Sequence, residues 1–226
     1  MALITESSLA LTVDAVAQAI FFRTPLPVAE RRKAADFIAA RQGKQHCYAG
    51  LFAPLEGEPD DAFTLFTGES INSRAGARHI LGEEAYRALL QLGETPGDVE
   101  QVIERAAATM GERLVSPDRR GAGMYCCGRC SVAVWRCLLA GGYGGIEGYV
   151  ESGVEALHAQ RDGKGRWRVF PFWYTLLALE ELRGKAALCE MRYAAPLLER
   201  ALKRPEGGDR YATRRRMLAE RVLALC

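Results

Sequence analysis

Four of the chain's seven cysteines fall in one short stretch, GMYCCGRCSVAVWRCLLAGG, at positions 126, 127, 130 and 137. Cys127 and Cys130 form a CxxC spacing with Arg129 between them. Residues 123–128 are rich in glycine and read as a loop, and 131–139 reads as a helix. Both thiols then belong to the first helical turn. A helix N-terminus carries about half a positive charge and free N–H groups, which favour a thiolate. Two chemistries follow, with Cys127 as the exposed nucleophile or ligand, Cys130 as its partner and Arg129 adding charge. The pair can act as redox or nucleophilic catalytic thiols, or it can offer two ligands to zinc. A tetrahedral site needs two more ligands. Cys126 is near in sequence, but adjacent side chains rarely point together. His46, Cys47, His79 or His158 would have to come from other parts of the fold. Against both stands a plain packing role, because free cysteine behaves as a small apolar side chain. Cys47, Cys137, Cys189 and Cys226 read most simply in that way, and His79 reads equally well as a satisfied histidine against the core.

Those thiols need helices to place them, and the sequence supplies two kinds. Residues 27–42, 97–115 and 148–160 are amphipathic. In 97–115, Val99, Val102, Ile103, Ala106, Ala107, Met110 and Leu114 recur at helical spacing, opposite Asp98, Glu100, Glu104, Arg105 and Glu112. Residues 9–22, 130–140 and 172–182 are apolar nearly all round, and 74–92 is mixed. A helix apolar on all sides must be covered on several sides. Alternation of the two kinds predicts inner helices shielded by outer ones. Each outer helix ends in a polar, Gly-containing stretch that feeds the next inner helix, and the spacing from Leu114 to Leu157 falls in the range of helical-pair repeats. Residues 51–72 lengthen the first unit as an inserted loop. The tail from Asp209 forms a last amphipathic helix through Leu218, Val222 and Leu225. The expected architecture is all-α, one toroid-like domain over residues 1–226.

The segments AADFIAARQG and HAQRDGKGRWRVFPFWYTLLALEEL carry a resemblance. In the repeats of prenyltransferase and squalene-cyclase-like proteins an outer helix ends near a Gln. A Gly-rich turn and an aromatic-led inner helix follow, and residues 27–183 resemble that pattern. The resemblance implies an α/α toroid with a central cavity at one end. The chain is short for a closed ring, so a partial toroid, or a ring completed by a second copy, is expected. The activities carry over less well. Cyclases of this type protonate substrate with an Asp-rich motif, and the nearest paired acids here, Asp60 and Asp61, sit in a proline-flanked loop. Prenyltransferases bind zinc through Asp, Cys and His, and no matching Asp-x-Cys occurs. Cys127-Gly128-Arg129-Cys130 stands where complement-type thioester domains carry Cys-Gly-Glu-Gln, but the Gln is absent. Lanthionine synthetase cyclases hold zinc with two Cys and one His, whereas His46-Cys47 is early and reversed.

Other side chains suit a ligand at the concave end formed by inner-helix N-termini. Arg74 and Arg78, one turn apart, suit an anionic ligand, or serve as solvated or capping charges with Glu69. Trp167, Phe170, Phe172, Trp173 and Tyr174 suit an apolar cavity or the core. The leading expectation is a protein that binds a small apolar or anionic ligand, or a partner protein, at that end. The alternatives are a toroid enzyme using Cys127 and Cys130, with zinc as the possible cofactor, and a diverged terpenoid-cyclase-like enzyme. Net charge is +2, so no overall field recruits nucleic acid, and Arg214, Arg215 and Arg216 read as a solvated helix face. No apolar run reaches bilayer length. MALITESSLA lacks the basic start of a secretory signal, so a cytoplasmic location is expected.

Overall fold

The computed structural model describes residues 2–59, 63–71, 73–94, 97–115, 123–143, 148–205 and 207–226. Asp60, Asp61 and most of the 116–125 loop lie outside the described residues. Among those described, the regular structure is helical: α1 (Leu9–Phe21), α2 (Val28–Ala39), α3 (Arg74–Leu92), α4 (Gly97–Leu114), α5 (Gly128–Leu139), α6 (Tyr149–Ala159), α7 (Phe172–Leu182), α8 (Lys185–Leu202) and α9 (Ala212–Leu225). Among the described residues, no helix is long and apolar enough to cross a membrane.

The two kinds of helix behave as their patterns require. α3 is buried on nearly every side from Ala77 to Leu92, whereas α4 buries only the stripe Val99, Val102, Ala106, Met110 and Leu114. α3 packs against α1 and α5, α5 against α7, and α7 against α9. The one-faced helices cover this row: α2 lies on α1, α3 and α4, and α6 lies on α5 and α8. Buried apolar side chains from all nine helices join one continuous core. The sequence reading names no helix over 185–202, where Pro196 interrupts the pattern. α8 forms there because Ala187, Met191, Ala194 and Leu198 keep one buried stripe through the proline.

The tail helix is not the solvated face its arginine run suggests. Arg214 is buried at 4 % exposure. Its guanidinium donates to both carboxylate oxygens of Asp14 at 2.6 and 2.8 Å, to Gln18 and to the Phe66 carbonyl. Arg221 donates to the Phe21 carbonyl at 2.7 Å. These bonds tie α9 back to α1. Arg215 and Arg216 do pair at the surface, with Asp209 and Glu220.

The inserted segment is built into the body. Leu51, Phe52, Ala53, Leu65, Phe66 and Thr67 are buried. Glu58 accepts from the backbone N–H groups of Leu9 and Ala10 at the start of α1. Glu69 accepts from the N–H groups of Trp173 and Tyr174 at the start of α7. Such carboxylates satisfy donors that a helix start leaves unpaired. Arg129 in the first turn of α5 donates to the Ser70 carbonyl at 3.0 Å, and Thr64 bonds the hydroxyl of Tyr211 at the start of α9. Residues 51–59 and 63–71 therefore contact the N-terminal ends of α1, α5, α7 and α9, the end at which an open cavity was expected.

Candidate metal centre

The cysteine segment is held by its own helix. Cys127 is the N-cap of α5, with extended backbone. Ser131 donates its hydroxyl to the Cys127 carbonyl at 2.8 Å and accepts from the Tyr125 N–H at 2.9 Å. One turn further on, the Trp135 indole N–H donates to the Gly123 carbonyl at 2.7 Å. Residues 123–127 are thereby folded over the first turns of α5, which turns Cys126 back towards the helix.

α3 brings the histidine. His79 is 1 % exposed, and its ring lies between those of Tyr48 and Tyr125, with centroids 4.2 and 4.6 Å away. The two tyrosine hydroxyls share a hydrogen bond of 2.9 Å. One turn along α3, Glu83 holds His79 Nε2 at 3.0 Å. Glu83 is fixed in turn, because Tyr143 donates its hydroxyl to the other carboxylate oxygen. The Cys137 thiol donates to the Glu83 carbonyl at 3.0 Å. With Nε2 engaged, Nδ1 is the ring nitrogen left for a ligand.

Among the described residues, His79, Cys126 and Cys130 form a group whose ligand atoms all lie within 4.8 Å of one another. Cys130 and His79 are buried, and Cys126 is exposed, so the group opens on one side to solvent. Cys127 stands beside this group and is also exposed. The thiol of Cys126, then that of Cys130, hydrogen-bonds to its sulfur, and the N–H groups of Cys130 and Arg129 add smaller pulls. Together they lower its pKa to about 2 against the cost of burial. Hydrogen bonds to Cys126 and then Cys127, with burial, push the Cys130 thiol up. Burial likewise pushes the Cys137 thiol up and leaves it inert.

The structure thus selects among the residues the sequence offered. His79 and Cys130 meet. Cys126 joins them although it neighbours Cys127, and the two adjacent thiols are close enough to share a hydrogen bond. His158 is elsewhere, with Nδ1 at 2.8 Å from the buried Glu190. That carboxylate also accepts from Arg161 and from the Trp167 indole. His46 lines a cavity of about 460 Å³ with Arg41, Lys44, Glu56 and Arg78, while Cys47 lies half-buried in the adjoining loop. Arg74 is exposed at the start of α3. Tyr174 is fully buried and donates its hydroxyl to Glu84, so it belongs to the core. Trp173 lines a small cavity of about 120 Å³ with Arg204, Arg215 and Arg216.

Glu83 and Tyr143 are the residues the sequence reading missed. The i, i+4 spacing of His79 and Glu83 was a usable signal. Tyr143 had none, since only the tertiary fold brings it to Glu83. A ligating histidine usually donates its other ring nitrogen to a carboxylate that is itself hydrogen-bonded. Tyr143→Phe is therefore expected to weaken metal binding about 10–100-fold. Competition with a chelating indicator measures this, and unchanged affinity would sever Tyr143 from the site.

The chain matches no family model, and no curated protein or solved structure matches it.

Proposed function

We propose that this chain is a zinc protein of α/α toroid architecture, with His79 Nδ1 and the sulfurs of Cys126 and Cys130 as the three protein ligands. The observation that carries the reading is the convergence of a His79 ring nitrogen and the two sulfurs from two helices and a loop, with His79 already oriented by Glu83. Two thiolates and an imidazole suit zinc, and three protein ligands with a fourth position left open are the pattern of reactive rather than purely structural sites. The open position faces solvent beside Cys127. A sulfur, oxygen or nitrogen atom of a small ligand would occupy it and be polarised there.

The toroid is favoured by the order of neighbours: α1, α3, α5, α7 and α9 in a row, covered by α2, α4, α6 and α8. The Arg214 and Arg221 bonds from α9 to α1 favour a ring closed within the chain over one completed by a second copy. The resemblance to prenyltransferase and squalene-cyclase-like repeats agrees with this order. An isolated antiparallel bridge follows the end of α2, between Gln42 and Phe52, and another follows the end of α6, between Arg161 and Trp167.

Elemental analysis of the purified protein tests the reading. About one zinc per chain is expected, lost in Cys126→Ser and in Cys130→Ser and retained in Cys127→Ser. A metal-free wild type that takes up no zinc on titration would overturn it. Loss of zinc from Cys127→Ser would replace the open site with a closed one of three Cys and one His.

A further inference from the structure

One thiol of the cluster is left over by the metal reading, and its placement gives it a separate role. Cys127 is exposed, while Cys130, one helical turn on, is 2 % exposed. An exposed first thiol and a buried second one, at CxxC spacing on a helix start, divide the labour of thiol–disulfide exchange. The outer sulfur can be reached by a substrate, and the inner one can be reached only from the outer. Cys127 lies outside the helix with φ −153° and ψ 169°, so its side chain can swing without breaking a helical turn. Cys126 is exposed too, but its sulfur belongs to the group shared with His79. Cys127 is thus the accessible sulfur that a metal would leave uncommitted.

We propose that Cys127 and Cys130 form a redox pair that reduces the disulfide of a small thiol and, in doing so, dismantles the metal centre. The Cys127 thiolate attacks one sulfur of the substrate disulfide. A mixed disulfide forms, and the first small thiolate leaves. Cys130 then attacks Cys127 Sγ, a Cys127–Cys130 disulfide forms, and the second small thiolate leaves. The protein loses two electrons, and the substrate gains them. Both small thiolates take protons from water or from the protein thiols. When zinc is present, this oxidation removes Cys130 from the ligand set. Cys126 and His79 remain, and two ligands hold zinc far more weakly than three. The release step rests on the zinc reading; the disulfide does not.

Glutathione disulfide is the probe, applied to zinc-loaded and to chelator-treated protein. Peptide mapping without reduction is expected to show a Cys127–Cys130 link in both samples. The loaded protein is expected to release its zinc to a chelating indicator as the link forms. Cys127→Ser should slow cysteine oxidation in this segment at least about tenfold and keep the zinc bound. Serine is a good helix N-cap, so this variant keeps the fold. A link that instead joins Cys126 to either neighbour would overturn the proposal, as would equal oxidation of Cys127→Ser and wild type. A protein that binds no zinc yet forms the Cys127–Cys130 link would refute the zinc reading alone.

Discussion

Arg136→Met is expected to remove about 3–5 kcal/mol of stability, read from urea unfolding. Arg136 is 2 % exposed near the end of α5. Its guanidinium bonds Glu84 of α3 and both oxygens of Glu181 of α7. Arg87 holds the same Glu181 at 2.6 Å, and Tyr174 donates to Glu84 and lies 5.1 Å below the guanidinium. Three of the central helices are thus joined by one charge cluster, two arginines against two carboxylates. Removing Arg136 leaves those carboxylates facing a single arginine, with Glu84 buried from water and Glu181 only 21 % exposed. Adding Glu181→Gln to Arg136→Met should recover part of the loss, because a neutral amide costs less to bury than an unpaired carboxylate. Failure to recover any would mean that lost packing, not charge, dominates.

The same cluster sets an acid limb. Burial raises the cost of charging Glu181, but Arg136 and Arg87 together hold it below its ordinary value of 4.5. Its contribution to stability is therefore complete above about that pH and is lost as pH falls through the lower folded value. In Arg136→Met one of the two stabilising charges is gone, so acid unfolding should begin at higher pH.

Gly123→Ala is expected to cost about 2–5 kcal/mol and to weaken zinc binding as well. Gly123 has φ +58°, a conformation that disfavours a side chain. A Cβ at this position would overlap the backbone of Ser152 and Gly153 in α6, which has no flexible end to move aside. Gly153 is equally committed, since a Cβ there would run into the indole of Trp135. Trp135 in turn stacks on Phe170 at 5.5 Å and donates to the Gly123 carbonyl. Two glycines and one tryptophan thus form the joint between α5 and α6, and the segment that leaves this joint carries Tyr125, Cys126 and Cys127. Pushing Gly123 outward shifts Cys126 relative to His79, which is fixed separately on α3. Unfolding and zinc titration together check the prediction. Lost stability with unchanged zinc affinity would show that the cysteine segment is positioned from α5 alone.

Much of the frame was legible because it depends on local periodicity. The stripes of α4 and α6 and the all-round apolar character of α1, α5 and α7 announced helices of two kinds, and the structure buries α4 and α6 along one stripe and α5 and α7 over most of their surface. The segment 51–71 was legible only as an insertion. Nothing in its local pattern says that Glu58 and Glu69 cap the starts of helices far away in the chain. Arg214 misled for a similar reason: a basic run looks the same whether its members meet water or a buried Asp14. At the candidate site, the CxxC spacing and the helix start were written in the chain, as was the list of histidines. Which histidine, and which two of three neighbouring cysteines, were not.

The sequence alone determined that the chain is a helical array and that residues 126–130 gather thiols at a helix N-terminus, because hydrophobic period and chain spacing are local properties. The tertiary structure alone decided that His79 rather than His46 or His158 meets those thiols, that Glu83 and Tyr143 orient it, and that the inserted segment closes over the helix starts. These are relations between residues far apart in the chain. They depend on how α3 packs against α5 and on a glycine joint that admits no side chain, and no periodicity encodes them.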